Sequence, residues 1–86
     1  MKLDNKVALI TGAGSGIGAA IAKRFVEDGA KICIIGRRKK NLEDVASQLP
    51  SGKVKVFPGD ITKYEDVRGV VKATIEWGGK LDVLVN

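Results

Sequence analysis

Short runs of apolar residues alternate along this chain with longer segments in which apolar residues recur at helical spacing. The first run, 7–10, has no polar position, which is typical of a strand that is covered on both faces. The segment after it places Ile17, Ile21 and Phe25 four residues apart, as one face of a helix does. The whole pattern predicts strands at 7–10, 31–35, 54–57 and 81–85 and helices at 15–28, 41–49 and 62–77.

Strands and helices therefore follow each other as βαβαβαβ with short connections, which predicts one α/β domain over residues 1–86. Right-handed crossovers between parallel strands would put the first two helices on one face of the sheet and the third on the other. Thr62 and Glu65 have the spacing of a capping box, so we expect the third helix to start at Thr62.

The turn between the first strand and the first helix is rich in glycine, and it reads Thr11-Gly12-Ala13-Gly14-Ser15-Gly16-Ile17-Gly18. A helix N-terminus presents unpaired N–H groups, and glycines let a phosphate approach them, so this turn predicts an anion site. The pattern G-x-G-x-x-G fails because Ile17 stands where its third glycine belongs, and no Gly-Lys-Ser/Thr follows for a P-loop. The spacing T-G-x-x-x-G-x-G fits. The candidate contacts in this turn are Gly12, Ser15 (through its hydroxyl), Gly16, Ile17 and Gly18.

Four stretches in this order resemble the short-chain dehydrogenase/reductase family, in its single-domain branch: 11–18, 29–30, 59–62 and 81–86. The resemblance covers the whole chain but only the front part of a typical member. It implies a Rossmann-type, three-layer fold with strand order 3-2-1-4, and NAD(P)-dependent interconversion of alcohols and carbonyls by hydride transfer. It also implies that Asp60 contacts adenine with help from the backbone of Ile61, and that the backbone of Asn86 lies near the adenosine ribose.

The end of the second strand favours NADP(H) over NAD(H). An NAD site usually has an acid there to bind the ribose hydroxyls, whereas this chain has Gly36 followed by Arg37-Arg38-Lys39-Lys40. A guanidinium binds a 2′-phosphate in bidentate fashion, and a carboxylate would repel it. We expect Arg37 to be the principal contact and Arg38 to stack on adenine or share the phosphate. The two lysines are interpreted as a solvated helix start.

The sequence contains no candidate catalytic residue. The family uses a Tyr with a Lys four residues later and a Ser upstream, and here the single tyrosine, Tyr64, is followed by Arg68 in another part of the fold. We interpret Tyr64 as a packing residue at a helix start. No metal site is expected either, and the chain has no histidine.

The net charge is +5, and much of it comes from the arginine-lysine run. We expect no nucleic-acid partner because the other lysines are dispersed and no aromatic residues interleave with the basic ones. We expect no membrane segment, and the lone Cys33, inside an apolar run, indicates a buried thiol and a cytoplasmic location.

The chain stops directly after a strand, and one helix alone would cover one face of the sheet. We therefore expect a fragment that associates with itself or with a missing C-terminal portion. Two alternatives are a stand-alone dinucleotide-binding module without catalysis and a basic interaction module that keeps the fold without the ligand.

Overall fold

A computed structural model of the chain describes residues 2–14 and 16–86. Every predicted strand and helix is present there, in the predicted order. The strands are β1 (Val7–Thr11), β2 (Lys31–Gly36), β3 (Val54–Pro58) and β4 (Val83–Val85), and the helices are α1 (Gly16–Glu27), α2 (Lys39–Ser47) and α3 (Tyr64–Gly78).

The four strands form one parallel sheet in the order β3-β2-β1-β4, as the resemblance implied. In the central pair, Val7 of β1 is level with Lys31 of β2, and Thr11 is level with Ile35. These two strands are apolar on both faces because helices cover both sides of them, and Val7–Ile10 and Ile32–Ile35 are buried. The β-sheet therefore has its carboxyl ends, and the loops that follow them, along a single edge.

The helices divide between the two faces of the sheet as predicted. Ala8 and Ile10 point to the face that α1 and α2 cover, where they pack in one apolar cluster with Ala22 and Leu42. Leu9 and Cys33 point to the other face, where they pack with Val70 of α3. Both connections on the first face thus have the same hand.

The start of α3 differs from the prediction. The helix begins at Tyr64, and its N-cap residue, Lys63, makes no side-chain capping bond. The predicted capping box is therefore wrong: both the N–H and the hydroxyl of Thr62 donate to Asp60 Oδ1, in a local turn. The boundaries of α2 also differ, because this helix starts two residues early, at Lys39.

Strand β4 is shorter than predicted and begins at Val83. Asp82, just before the strand, is joined to β1 by two hydrogen bonds: its N–H donates to the carbonyl of Val7 at 2.8 Å, and its carboxylate accepts the N–H of Val7 at 2.9 Å. Leu81 packs instead against the apolar cluster beneath α3.

Helix α3 covers its face of the sheet only in part. Ile75 on its outer side is 44% exposed and Leu84 at the β4 edge is 58% exposed. Cys33, under this helix, is buried as predicted, and burial raises the pKa of its thiol. Among the described residues, no helix is both long and apolar enough to cross a membrane.

Candidate functional site

Three loops meet at the carboxyl edge of the sheet and bring together residues that are distant in the sequence. Gly12 from the glycine turn, Arg37 from the end of β2 and Asp60 from the end of β3 line one depression of about 330 Å³. A second depression, of about 200 Å³, shares Gly12 and Arg37 with the first and adds Arg38 and Asn41. The two depressions adjoin, because Gly36 also lines both of them.

The glycines of the first loop differ in what their missing side chains allow. Gly12 has a φ of +68°, in the left-handed region that favours glycine. A Cβ on Gly18 would overlap the carbonyl group of Gly12 and lie 2.8 Å from Ala13 Cα, so α1 packs against its own loop only because residue 18 is glycine. A Cβ on Gly16 would meet no atom within 4 Å. Packing within the chain therefore explains why residue 18 is glycine, but it does not explain why residue 16 is.

The N-terminus of α1 opens at the same edge. The helix begins at Gly16, so its first N–H groups have no partner within the helix. The side chain of Ile17 in this first turn is 80% exposed, although it is apolar. Ser15, the other residue predicted here, lies outside the described residues. The loop thus presents backbone donors beside an exposed apolar side chain.

The basic residues predicted to bind a 2′-phosphate surround the second depression. Arg37 and Arg38 are both exposed there, and Arg38 is the N-cap residue of α2. That N-cap has an extended backbone and no side-chain capping bond, so the first N–H groups of α2 open beside the two guanidinium groups. Positive charge and backbone donors therefore converge at one point. Lys39 and Lys40 are exposed in the first turn of α2, which agrees with a solvated helix start.

Asn41 is a site residue that the sequence analysis missed. It lines the second depression from the first turn of α2, and its Cβ would lie 3.3 Å from a Cβ on Gly14. Its amide nitrogen would lie 3.9 Å from the same Cβ, beside the glycine turn. The available signal was a polar amide directly after the basic run.

Asp60 is held in the first depression by hydrogen bonds on both sides. Its Oδ1 accepts the N–H of Thr62 at 2.9 Å and the hydroxyl of Thr62 at 2.7 Å. Its own N–H donates to Asp66 Oδ2 at 2.7 Å. The Thr62 bonds, with a smaller contribution from the charge of Arg37, hold the pKa of the Asp60 carboxyl below its usual value. Asp60 is therefore an ionised acceptor at neutral pH, and Ile61 beside it is half exposed.

The last residue of the chain, Asn86, is brought to the start of the glycine turn. The Thr11 hydroxyl lies 3.3 Å from both Asn86 Oδ1 and the carbonyl oxygen of Val85, and it can donate to either. Asn86 thus lies beside Thr11, the residue that precedes Gly12 in the glycine turn.

The interpretation of Tyr64 as a packing residue is wrong. Its side chain is 74% exposed, and its ring lies 5.8 Å from the Arg68 guanidinium.

Four lysines that are dispersed in the sequence meet at the opposite edge of the sheet. Each lies at or near the amino end of a strand, and together they line a depression of about 270 Å³: Lys6, Lys31, Lys53 and Lys80. Lys31 lies over the ring of Trp77, 5.4 Å from its centre, and Lys80 pairs with Asp82 at 3.3 Å.

Within residues 2–14 and 16–86, no group of three or more His, Cys, Asp or Glu side chains is arranged to hold a metal ion.

The chain is similar in sequence to oxidoreductases of other organisms. An uncharacterized oxidoreductase of Staphylococcus aureus is 48% identical over 84 residues, which are 98% of this chain and 36% of that protein. A peroxisomal 2,4-dienoyl-CoA reductase of Arabidopsis thaliana is 52% identical over 83 residues, 94% of this chain and 28% of that one. The chain thus spans about a third of the length of these relatives.

Solved structures and a family model lead to the same family. A 3-ketoacyl-(acyl-carrier-protein) reductase from Brucella melitensis, complexed with NADH, is 45% identical and superposes with a TM-score of 0.91 over 95% of this chain and 33% of its own. The family model described as short chain dehydrogenase matches residues 6–86, nearly the whole sequence. This chain belongs to the short-chain dehydrogenase family, oxidoreductases with an NAD(P)-binding Rossmann fold.

Proposed function

We propose that this chain is the NADP(H)-binding portion of an oxidoreductase that interconverts alcohols and carbonyls by hydride transfer. The observation that carries the choice of NADP(H) is the convergence of Arg37, Arg38 and the α2 N-terminus on one depression beside the glycine turn. A 2′-phosphate carries between one and two negative charges at neutral pH, and guanidinium groups bind it by charge-assisted hydrogen bonds.

Gly36 supports the same choice from the side of the competing cofactor. It occupies the end of β2, where an NAD site has its acidic residue, and it lines both depressions. A Cβ at this position would lie 3.2 Å from Cδ2 of Leu42, which is buried. Leu42 would therefore have to shift by a few tenths of an ångström to admit a side chain here, and an acidic one would repel the phosphate that the arginines attract.

The glycine turn and the β3–α3 loop fit the rest of the dinucleotide. The pyrophosphate would lie on the backbone of Gly12, Gly16 and Gly18, in the space that a Cβ on Gly16 would fill. Asp60 would accept a hydrogen bond from the adenine amine, with the N–H of Ile61 beside it. Asn86 would lie near the adenosine ribose, and Ser15 and Ile17 would complete the contacts of the turn.

The bound dinucleotide would supply the hydride chemistry, and this chain would hold and orient its adenosine half. The proton-transferring residues and the substrate site would belong to the part of the protein that corresponds to the remaining two thirds of its relatives. A cytoplasmic location stays a prediction from the single buried thiol.

A calorimetric titration with 2′,5′-ADP and with 5′-ADP tests the proposal, because the two ligands differ only in the 2′-phosphate. We expect 2′,5′-ADP to bind at least about tenfold more tightly, which corresponds to about 1.4 kcal/mol for one charge-assisted contact. Arg37→Ala should remove most of this difference. Lys40→Ala, which removes an exposed charge from the first turn of α2, should leave it nearly unchanged. Equal binding of both ligands to the unaltered chain would contradict the assignment of NADP(H).

The alternative is a stand-alone dinucleotide-binding module without catalysis. The exposed apolar residues on α3 and at the β4 edge favour a chain that packs against more protein, either a further segment or a second copy. Sedimentation of the chain alone and together with a candidate C-terminal segment separates these possibilities.

A further inference from the structure

The turn that carries Asp60 is tied to α3 by one side chain. Asp66, the third residue of α3, accepts the N–H of Asp60 at 2.7 Å through Oδ2 and is partly buried. The N-cap residue of this helix makes no side-chain capping bond. The carboxylate of Asp66 therefore reaches back over the first turn of α3 and fixes the backbone of the preceding loop, by a bond stronger than one between neutral groups.

The same loop is supported from below. Phe57, near the end of β3, packs under both Gly59 and Gly69, whose added Cβ atoms would lie 3.1 Å and 3.2 Å from its ring. The N–H of Gly59 donates to the carbonyl of Gly36 at 2.8 Å. Residues 57–59 are thus fixed against β2 and α3. The backbone of the next residue, Asp60, is held by two bonds: its carbonyl accepts the N–H of Lys63 at 3.0 Å, and its N–H donates to Asp66.

The side chain of Asp60 is oriented from the other direction. Both donors of Thr62 bind Oδ1. Oδ2 is therefore the oxygen that remains for a ligand. The direction of Oδ2 follows from the bonds around it: Asp66 and the N–H of Lys63 hold the backbone of Asp60, and the Thr62 bonds hold its carboxylate.

We propose that Asp66 is a positioning residue that gives the site its selectivity for adenine. This inference rests on the proposed function, in which Asp60 accepts a hydrogen bond from the adenine amine. Hypoxanthine has a carbonyl oxygen in place of that amine, so it offers the carboxylate an acceptor rather than a donor. A correctly placed Asp60 therefore binds the adenine nucleotide and rejects the hypoxanthine nucleotide.

The test is the ratio of the dissociation constants of 2′,5′-IDP, the hypoxanthine analogue, and 2′,5′-ADP. For the unaltered chain we expect a ratio of about ten or more, and Asp60→Ala should bring it close to one. Asp66→Ala should lower the ratio at least about threefold. Asp66→Asn, which keeps an oxygen acceptor for the N–H of Asp60, should restore most of it.

A purely structural role of Asp66 would produce a different result. An acidic residue in the first turn stabilises a helix whatever it binds, so loss of stability alone would weaken both nucleotides equally and leave the ratio unchanged. Glu65→Ala is the matched control, because it removes the exposed neighbouring acid from the same turn, and the ratio should not move. If Asp66→Ala fails to fold, Asp66→Glu keeps the charge and displaces the carboxylate, and it too should lower the ratio.

The possible failures are distinguishable. An unchanged ratio in folded Asp66→Ala or Asp66→Glu would overturn the positioning role and leave the proposed function intact. A ratio near one in the unaltered chain, with 2′-phosphate selectivity retained, would overturn the role of Asp60 and that of Asp66 with it. Failure of both nucleotides to bind would overturn the proposed function itself.

Discussion

Two glycines of the same turn, Gly16 and Gly18, should respond in opposite ways to the same substitution. In Gly18→Ala the new Cβ would lie 2.6 Å from the carbonyl carbon of Gly12 and 2.8 Å from Ala13 Cα. Ordinary carbon–carbon contacts are about 3.5–4.0 Å, so the loop and α1 would have to separate by about 1 Å. Because backbone lies on both sides of the contact, the cost should be at the upper end for overpacking, about 3 kcal/mol.

That cost is large for a chain of 86 residues, whose whole stability is expected to be about 4–13 kcal/mol. It corresponds to a fall in melting temperature of about 12–24 °C for a domain of this size. In Gly16→Ala the Cβ would enter open space, and the melting temperature should stay within a few degrees of the original. The same Cβ would occupy the approach of the pyrophosphate, so affinity for 2′,5′-ADP should fall at least about tenfold.

Thermal denaturation followed by circular dichroism and calorimetric titration measure the two effects separately. A Gly18→Ala variant that melts at the same temperature as the original protein would contradict the predicted overpacking. A Gly16→Ala variant that binds 2′,5′-ADP as tightly as the original protein would contradict the predicted pyrophosphate contact.

Two further predictions concern the stability and association of the chain. The pKa of Asp82 is lowered chiefly by the bond from the N–H of Val7 and further by Lys80. The contribution of the Asp82 carboxylate to stability is therefore present above its unfolded-state pKa. It is lost as the pH falls through the lower folded-state pKa. Denaturation in urea should therefore show stability falling below about pH 4, and Asp82→Asn should flatten that fall whereas Glu43→Gln, in an exposed position on α2, should not. Ile75→Glu on the outer face of α3 should reduce self-association in sedimentation velocity without lowering the melting temperature, because this side chain is 44% exposed. If the unaltered chain sediments as a monomer at all concentrations, the prediction that it associates with itself is contradicted.

The order of the strands and helices could be predicted because each strand is an uninterrupted apolar run and each helix repeats its apolar residues on one face. The start of α3 could not be predicted. Thr62 has the spacing of a cap, but its N–H and its hydroxyl both donate to the side chain of Asp60, two residues earlier. A local side-chain bond of this kind competes with capping, and the spacing alone does not decide between them.

The residues that line the two depressions could be named from the sequence where they belong to contiguous motifs, and not where they lie outside them. Gly12, Arg37 and Asp60 come from separate motifs, and the sheet brings them to one depression. Asn41 and Asp66 belong to no motif, because their roles depend on where α2 and α3 start relative to the loops before them. The convergence of four lysines at the opposite edge was missed for a similar reason: each precedes or begins a different strand, and only the register of the parallel sheet places them side by side.

The central claim is that NADP(H) binds at the carboxyl edge of the sheet, and nuclear magnetic resonance of the 15N-labelled chain during titration with NADP+ tests it most directly. We predict that the amide signals that shift belong to Gly12 and Gly14 of the glycine turn, to residues 36–38, to Asn41 and to residues 60–62, which line the two depressions. The lysine-lined depression at the amino edge provides the internal comparison. Shifts confined to Lys6, Lys31 and Lys53, with none in the glycine turn, would show a general anion site and contradict the account.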